Sequence, residues 1–131
     1  MIRGSCLCKE VRYTVTEALG PISHCHCETC RKAHASAFGT VARVKATGFH
    51  IDSGEKLLTS YESSPGKKRY FCSKCGSQIY AHTEGQGEHV LRLGTLDDDP
   101  GVKPIRHIFV SDKAPWYDID QRLPQFDGWP K

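Results

Sequence analysis

The sequence predicts an all-β fold, and three observations support that prediction. Short apolar or β-branched stretches recur along the 131 residues, and clusters of glycine, proline, serine and aspartate separate them. Residues 28–35 alone have the pattern of a helix, and that segment is short. The hydrophobic fraction of 38% and the charged fraction of 25% are typical of a folded domain. We therefore expect a single domain over residues 1–131, without an internal linker.

The predicted strands follow one another along the chain. Residues 11–16 alternate apolar and polar side chains with a period of two, which indicates a strand with one buried face. The other predicted strands cover residues 37–44, 49–52, 57–61, 69–71, 78–81, 90–93 and 105–110. Turn residues separate them, for example Ser53-Gly54 and Ser64-Pro65-Gly66. Residues 116–131 are expected to form an irregular strap, with Trp116 packed in the core.

Composition excludes a membrane protein and a disordered chain. No apolar run approaches the ~18 residues that a spanning helix needs. Residues 1–6 lack the apolar region of a secretory signal, so we expect a cytoplasmic protein. In that reducing compartment, clustered cysteines are typical of metal-binding or catalytic sites rather than of disulfides. The chain has seven cysteines, and all of them fall into three compact motifs.

The first and third motifs can be combined into one closed metal site. Cys72 and Cys75 form a C-x-x-C followed by Gly76, which supplies half of a tetrahedral zinc site. Cys6 and Cys8 could supply the other half, if a bend helped by Gly4 turns both sulfur atoms toward one ion. Four thiolate ligands are typical of a structural zinc. A redox-active C-x-x-C and unpaired core cysteines remain as alternatives.

The second motif has three cysteines and no evident fourth ligand. Cys25, Cys27 and Cys30 could bind a zinc ion that keeps one position open, as catalytic zinc sites do. A histidine could complete the shell instead, and the candidates nearby in sequence are His24, His26 and His34. A disulfide or the absence of metal is a further alternative. Arg31 and Lys32 follow this motif and should favour the reactive thiolate form.

The formal net charge of +3 does not indicate a nucleic-acid-binding protein. That value counts every thiol as neutral. A zinc ion on four thiolates would contribute −2, and one on three thiolates −1, which brings the total to 0. The best basic and aromatic stretch, residues 67–71, is short and leads directly into the C-x-x-C motif. We therefore expect small-molecule partners rather than nucleic acid or a membrane.

Several motifs together resemble one known family. They are Gly4-Ser5-Cys6-Leu7-Cys8, Cys25-His26-Cys27-Glu28-Thr29-Cys30-Arg31-Lys32, Arg69-Tyr70-Phe71-Cys72-Ser73-Lys74-Cys75-Gly76-Ser77, Gly94-Thr95-Leu96-Asp97-Asp98 and His107-Ile108-Phe109-Val110-Ser111-Asp112-Lys113-Ala114-Pro115-Trp116. In this order they resemble the glutathione-dependent formaldehyde-activating enzyme family, which also includes centromere protein V. The resemblance extends over residues 3–127. Lys9 departs from it, because the family usually has glycine after the second cysteine of C-x-C.

The resemblance implies a fold, two metal sites and an activity. The fold is a β-tent of antiparallel sheets that carries zinc. The implied structural zinc ligands are Cys6, Cys8, Cys72 and Cys75, and those of the second, exchangeable zinc are Cys25, Cys27 and Cys30. The implied activity is carbon–sulfur bond chemistry, in which glutathione and formaldehyde combine to S-hydroxymethylglutathione, or the reverse. Two zinc ions per chain and glutathione as co-substrate are thus expected.

We therefore expect a zinc-dependent carbon–sulfur lyase or synthase that acts on thiol adducts of formaldehyde or another small aldehyde. The thiol would enter the open position of the second zinc, or displace that metal. A non-catalytic zinc module for partner or metal binding is the alternative.

The candidate proton donors are water, His26, His34 and His107, and the candidate cations for glutathione are Arg31, Lys32, Lys67, Lys68 and Lys113. Asp97, Asp98 and Asp99 are expected to form a solvated turn. The sequence leaves the oligomeric state open.

Overall fold

The computed structural model describes residues 1–120 and 122–130, and it confirms the all-β prediction. The strands are β1 (Ile2–Ser5), β2 (Arg12–Val15), β3 (Ser23–Cys25), β4 (Gly39–Lys45), β5 (Phe49–Ser53), β6 (Leu58–Ser64), β7 (Lys67–Cys72), β8 (Gln78–Thr83), β9 (Glu88–Arg92) and β10 (Arg106–Ile108). The predicted helix is present as α1 (Glu28–His34). Within the described ranges, no helix has the length and apolar character needed to cross a membrane.

The strands form two sheets. The smaller sheet has the order β1-β2-β5, and the larger has the order β10-β3-β4-β9-β8-β7-β6. Neighbouring strands are antiparallel, as predicted, apart from the parallel pairing of β10 with β3 at one edge. A bridge between Gly4 and Leu96 connects the smaller sheet to the turn that follows β9. The late edge strand β10 therefore extends the sheet beside the motif of Cys25, Cys27 and Cys30.

Each group of cysteines belongs to a different apolar core. The larger core contains side chains from both sheets, including Tyr13, Phe49 and Leu91, and it also contains Cys6 and Cys72. A smaller core surrounds the middle motif and consists of Cys25, Cys30, Val41 and Ile108, with Phe109 and Phe126 packed against it. The folding of the larger core thus brings together cysteines that are distant in the sequence, whereas the cysteines of the smaller core are already close together in the chain.

Two of the strands were not predicted from the sequence. β1 has the sequence Ile-Arg-Gly-Ser and β3 has Ser-His-Cys, so neither offers the apolar alternation by which short strands are detected. Both are defined by their pairing, β1 with β2 and β3 with β4. Every predicted strand is present, with ends that differ by a few residues.

The C-terminal part is the predicted irregular strap. Its residues pair with the end of β10, since His107 N–H donates to Pro124 O and Phe126 N–H donates to His107 O. The prediction that Trp116 packs in the core is wrong, because that side chain is 70% exposed. Trp129 is exposed as well, and its ring contacts that of Phe109 with 5.2 Å between the centroids. Gln121 and Lys131, which belong to the predicted strap, lie outside the described residues.

The C-x-C motif lies on a turn rather than on a strand. β1 ends at Ser5, and Lys9 N–H donates to Cys6 O to close a tight turn. Lys9 has a φ of 70°, a left-handed conformation that glycine adopts at lower cost. The bend therefore occurs at Lys9, the position where the family usually has glycine, and the expected help from Gly4 is not seen. Gly4 lies within β1, where a Cβ atom would overlap the buried Tyr13 ring.

Replacing Gly4 with alanine should destabilise the fold. The added methyl group would have to displace the Tyr13 ring, whose hydroxyl is 2.6 Å from Thr95 Oγ1. Overpacking of this kind costs about 1–3 kcal/mol of unfolding free energy. Chemical denaturation of Gly4→Ala measures this loss. Gly87→Ala is the control, since a Cβ there meets no atom within 4 Å, and it should change stability by less than about 0.5 kcal/mol. Equal stability of the two variants would contradict this packing.

Candidate active site and metal centres

The structure brings the first and third cysteine motifs together. The sulfur atoms of Cys6, Cys8, Cys72 and Cys75 all lie within 4.8 Å of one another. Cys8 Sγ is 3.4 Å from Cys6 Sγ and 3.8 Å from Cys72 Sγ. Ligands of a tetrahedral zinc with a Zn–S distance of about 2.3 Å are separated by about 3.8 Å. The four sulfur atoms thus fit a closed metal site.

A tight turn after β7 places the two sulfur atoms of the C-x-x-C motif. Cys72 O accepts a hydrogen bond from Gly76 N–H at 2.8 Å, and Gly76 has a φ of 82°. This left-handed conformation is one that glycine adopts at lower cost than other residues. Ser77 Oγ accepts a hydrogen bond from Leu7 N–H, which holds the N-terminal turn beside the β7–β8 turn. The four-cysteine set consequently links the start of the smaller sheet to the larger one.

The second set contains Cys25, Cys27 and Cys30, whose sulfur atoms also lie within 4.8 Å of one another. Cys25 ends β3, and Cys30 lies in the first turn of α1. Cys27 is the N-cap of that helix, and its Sγ accepts a hydrogen bond from Cys30 N–H at 3.3 Å. The start of the helix therefore folds Cys30 back toward Cys27 and Cys25. These three thiols could hold one metal ion, with a fourth position left for another ligand.

No histidine joins this set among the described residues, so the histidine alternative for the fourth ligand is not supported. His24 Nδ1 lies 2.9 Å from Thr40 Oγ1. His26 is buried, with its Nε2 2.8 Å from His107 Nδ1. His34 Nδ1 is 2.8 Å from Cys30 O. Each ring therefore has a partner other than the three sulfur atoms.

Beside the three thiols lies a cleft of about 230 Å³ whose wall carries positive charge. Its lining includes Lys67, Arg69 and Arg92. Both arginines are 4% exposed, which is unusual for a charged side chain without an ionic partner. Arg69 Nε donates to Ser63 Oγ, whereas Arg69 Nη1 and the Nε and Nη2 atoms of Arg92 have no hydrogen-bond partner within residues 1–120 and 122–130. These buried donors favour an anion in the cleft.

The arginines also affect the thiols. Hydrogen bonds with Cys25 and Cys27 lower the pKa of Cys30, and the charges of Arg92 and Arg69 lower it further. Hydrogen bonds with Cys27 and Cys30, together with burial, raise the pKa of Cys25. Without metal, the set would thus carry a thiolate at Cys30 beside a protonated Cys25. Negative charge at the cysteines and positive charge at the arginines stabilise each other in this buried region.

Sequence analysis missed both arginines. Arg69 was noted only as part of a basic stretch, and Arg92 was not considered. The available signal was the period of two in the strands, which puts Arg69 on the same face of β7 as Lys67, and Arg92 on the same face of β9 as Val90. An arginine at an inward position of a strand indicates a buried charge that needs a partner.

Of the five cations proposed for glutathione, only Lys67 lines the cleft. Arg31 Nε donates to Asp112 O, and Lys113 Nζ donates to the carbonyl oxygens of Ala114 and Tyr117. Lys32 and Lys68 are exposed and line none of the described cavities. The three histidines proposed as proton donors, His26, His34 and His107, do not line the cleft either.

The acidic run has the expected turn structure. Asp98 accepts hydrogen bonds from the Arg3 side chain and backbone, and Asp97 accepts one from Ser5 Oγ. Asp99 Oδ1 accepts a hydrogen bond from Gly101 N–H. Asp97 and Asp98 therefore attach the turn after β9 to β1, whereas Asp99 bonds within the turn.

Known proteins resemble this chain over most of its length. A lyase of Schizosaccharomyces pombe, described as uncharacterized, is 27% identical over 124 residues, which cover 94% of this chain and 88% of the relative. A provisionally named glutathione-dependent formaldehyde-activating enzyme of Halomonas elongata is 27% identical and covers 99% of this chain and 89% of the relative.

A solved structure supports the fold. The crystal structure of a Rhodobacter sphaeroides protein superposes with a TM-score of 0.63 at 24% identity, and the match covers 78% of this chain and 91% of that one. The family model for the glutathione-dependent formaldehyde-activating enzyme matches residues 1–112. These residues include all seven cysteines and every strand described above. The family resemblance noted in the sequence is thereby confirmed, and the chain belongs to the glutathione-dependent formaldehyde-activating enzyme family.

Proposed function

We propose that this protein is a carbon–sulfur lyase that acts on the glutathione adduct of formaldehyde or of another small aldehyde. The observation that carries the proposal is the arrangement of Cys25, Cys27 and Cys30 beside a cleft with two buried arginines. Glutathione has two carboxylates and one thiol, so a thiol-binding set next to unpaired cations matches its chemistry. The family match and the lyase name of one relative support the same assignment.

The cysteine sets are proposed as two zinc sites. Cys6, Cys8, Cys72 and Cys75 would hold a structural ion, since four thiolates leave no position for substrate. Cys25, Cys27 and Cys30 would hold the second. Zinc bound there would lower the pKa of an incoming thiol and keep it as a thiolate. The absence of a histidine from this set, among the described residues, favours the enzyme over a closed, non-catalytic zinc module.

The proposed reaction is redox-neutral. The glutathione sulfur donates an electron pair to the carbonyl carbon of the aldehyde, and a carbon–sulfur bond forms. The carbonyl π electrons move to oxygen, which takes up one proton and becomes the hydroxyl group of the adduct. The reverse reaction removes that proton and breaks the carbon–sulfur bond. Arg69 and Arg92 would offset the negative charge of the thiolates and of the bound co-substrate.

Lys67 is our candidate for the proton donor. Its side chain is half-buried in the cleft wall, on the same strand as Arg69. Burial lowers the pKa of Lys67, and the charges of Arg69 and Arg92 lower it further, toward the range in which an ammonium group transfers protons readily. We place this reaction in the cytoplasm, where the seven free thiols would remain reduced.

The proposal is tested by Cys27→Ser. Serine keeps an oxygen acceptor at the N-cap of α1, so the fold should survive while one metal ligand is lost. Adduct formation from glutathione and formaldehyde, followed by exchange NMR, should slow by at least about 100-fold. Mutation of a residue that only supports a metal ligand already lowers metal affinity or activity by about 10- to 100-fold. Cys75→Ser is the matched comparison and should lower the melting temperature. Turnover within twofold of wild type in a folded Cys27→Ser would contradict the proposal.

Replacement of Lys67 tests its role separately. Lys67→Met should lower kcat by about 100-fold, which is within the range for loss of a general acid. Lys67→Arg should keep KM near the wild-type value but leave kcat low, because a guanidinium retains its proton at neutral pH. The control is Lys68→Met, whose side chain is exposed on the same strand. Steady-state kinetics that give equal kcat values for Lys67→Met and Lys68→Met would exclude Lys67 as the donor.

A further inference from the structure

A second, larger cavity shares Arg92 with the cysteine cleft. It has a volume of about 620 Å³. Its walls include His34 at the end of α1, Gly76 in the turn of the four-cysteine set, Gln78 at the start of β8 and Thr95 in the turn after β9. Segments next to both cysteine sets therefore border this space, which we call the polar cavity. The proposed reaction does not use the polar cavity.

Three side chains that line the polar cavity have buried polar atoms without a hydrogen-bond partner in the part of the chain that the structure describes. They are Nε2 of His34, Oε1 of Gln78, and Nε and Nη2 of Arg92. Such atoms are rare in a folded protein, because each has lost its water without gaining a partner. Arg92 is 4% exposed and carries a full charge, so its unpaired donors are the most costly. Three such groups around one space point to a ligand that satisfies them together.

The hydrogen bonds and the side-chain chemistry indicate which of these groups can donate a hydrogen bond and which can accept one. His34 Nδ1 lies 2.8 Å from Cys30 O, and a carbonyl oxygen can only accept, so Nδ1 carries the proton. In the neutral ring, His34 Nε2 then presents a lone pair as an acceptor, and Gln78 Oε1 is an acceptor as well. Arg92 offers only donors. A matching ligand has a carboxylate for Arg92 and an N–H donor close to that carboxylate for His34 and Gln78.

We propose that the polar cavity binds the amino-acid end of the thiol co-substrate, with its α-carboxylate on Arg92 and its α-ammonium group on His34 Nε2 and Gln78 Oε1. In glutathione this is the γ-glutamyl end. The inference rests on the proposed function for the identity of the thiol. Cys30 and His34 are joined within α1 by the hydrogen bond to Cys30 O, and Arg92 lines both spaces. One ligand could therefore place its sulfur at the cysteines and its amino-acid end in the polar cavity.

Calorimetry with S-methylglutathione tests the proposal without turnover. The methylated sulfur cannot become a thiolate, so binding reports on the rest of the molecule. The purified protein with its metal should bind this probe, and acetylation of the α-amino group of the probe should weaken binding by about tenfold or more. This comparison needs no variant of the protein. No binding of S-methylglutathione, or equal binding of the acetylated probe, would overturn the proposal.

Two glutamine variants test where S-methylglutathione binds. Gln78→Leu should weaken S-methylglutathione binding by about tenfold, whereas Gln86→Leu, in an exposed turn, should leave it unchanged. Unchanged binding in a folded Gln78→Leu would contradict the placement. Free glutamate should bind much more weakly than the probe. Equally tight binding would indicate an independent amino-acid site and would overturn the assignment to the co-substrate.

Failure of this inference and failure of the proposed function give different results. Lys68→Met should keep S-methylglutathione binding within about threefold, because this exposed side chain lines neither the cleft nor the polar cavity. If wild-type protein binds the probe but forms no aldehyde adduct, the proposed reaction is wrong and the binding site stands. If adduct formation is normal but Gln78→Leu binds the probe as wild type does, the binding site is wrong and the reaction stands.

Discussion

The convergence of four cysteine sulfur atoms is the constraint on which the rest of the fold depends. Cys6 and Cys8 come from the turn after β1, and Cys72 and Cys75 come from the turn after β7, yet their sulfur atoms lie within 4.8 Å of one another. Closing so long a loop has an entropic cost, which a bound structural zinc could offset with on the order of 10 kcal/mol. Because the smaller sheet begins at one motif and the β7–β8 hairpin contains the other, this contact sets how the two sheets meet.

Charge governs the second cysteine set. Two arginines that are almost fully buried would be strongly destabilising on their own, since a guanidinium loses its hydration without losing its charge. The Cys30 thiolate offsets part of that cost, and an anionic co-substrate would offset more. Hydrogen bonds with Cys25 and Cys27 lower the pKa of Cys30, and the same positive charge lowers it further, which favours the form of the thiol that binds metal and reacts. The buried arginines therefore affect both the stability and the reactivity of this site.

The sequence predicts the strands and the grouping of the cysteines well, because both depend on local patterns. The alternation in residues 11–16 and the spacing of Cys72 and Cys75 are visible within a few positions. For Arg69 and Arg92 the strand period indicates only which face they occupy, and their burial depends on strands that are distant in sequence. The same holds for His34 and Gln78, which share a cavity only in the folded chain. Trp116 was expected in the core but is exposed, because an irregular strap has no period from which a buried face can be predicted.

X-ray absorption at the zinc edge, with and without millimolar glutathione, tests the central claim most directly. We propose one ion with four sulfur ligands and one with three plus an oxygen, so the protein alone should average about 3.5 sulfur atoms per zinc. Glutathione should raise that average to about four and remove the oxygen contribution, whether the thiol joins the second ion or displaces it. A spectrum that glutathione leaves unchanged would contradict a thiol-responsive second site and would indicate two closed metal centres.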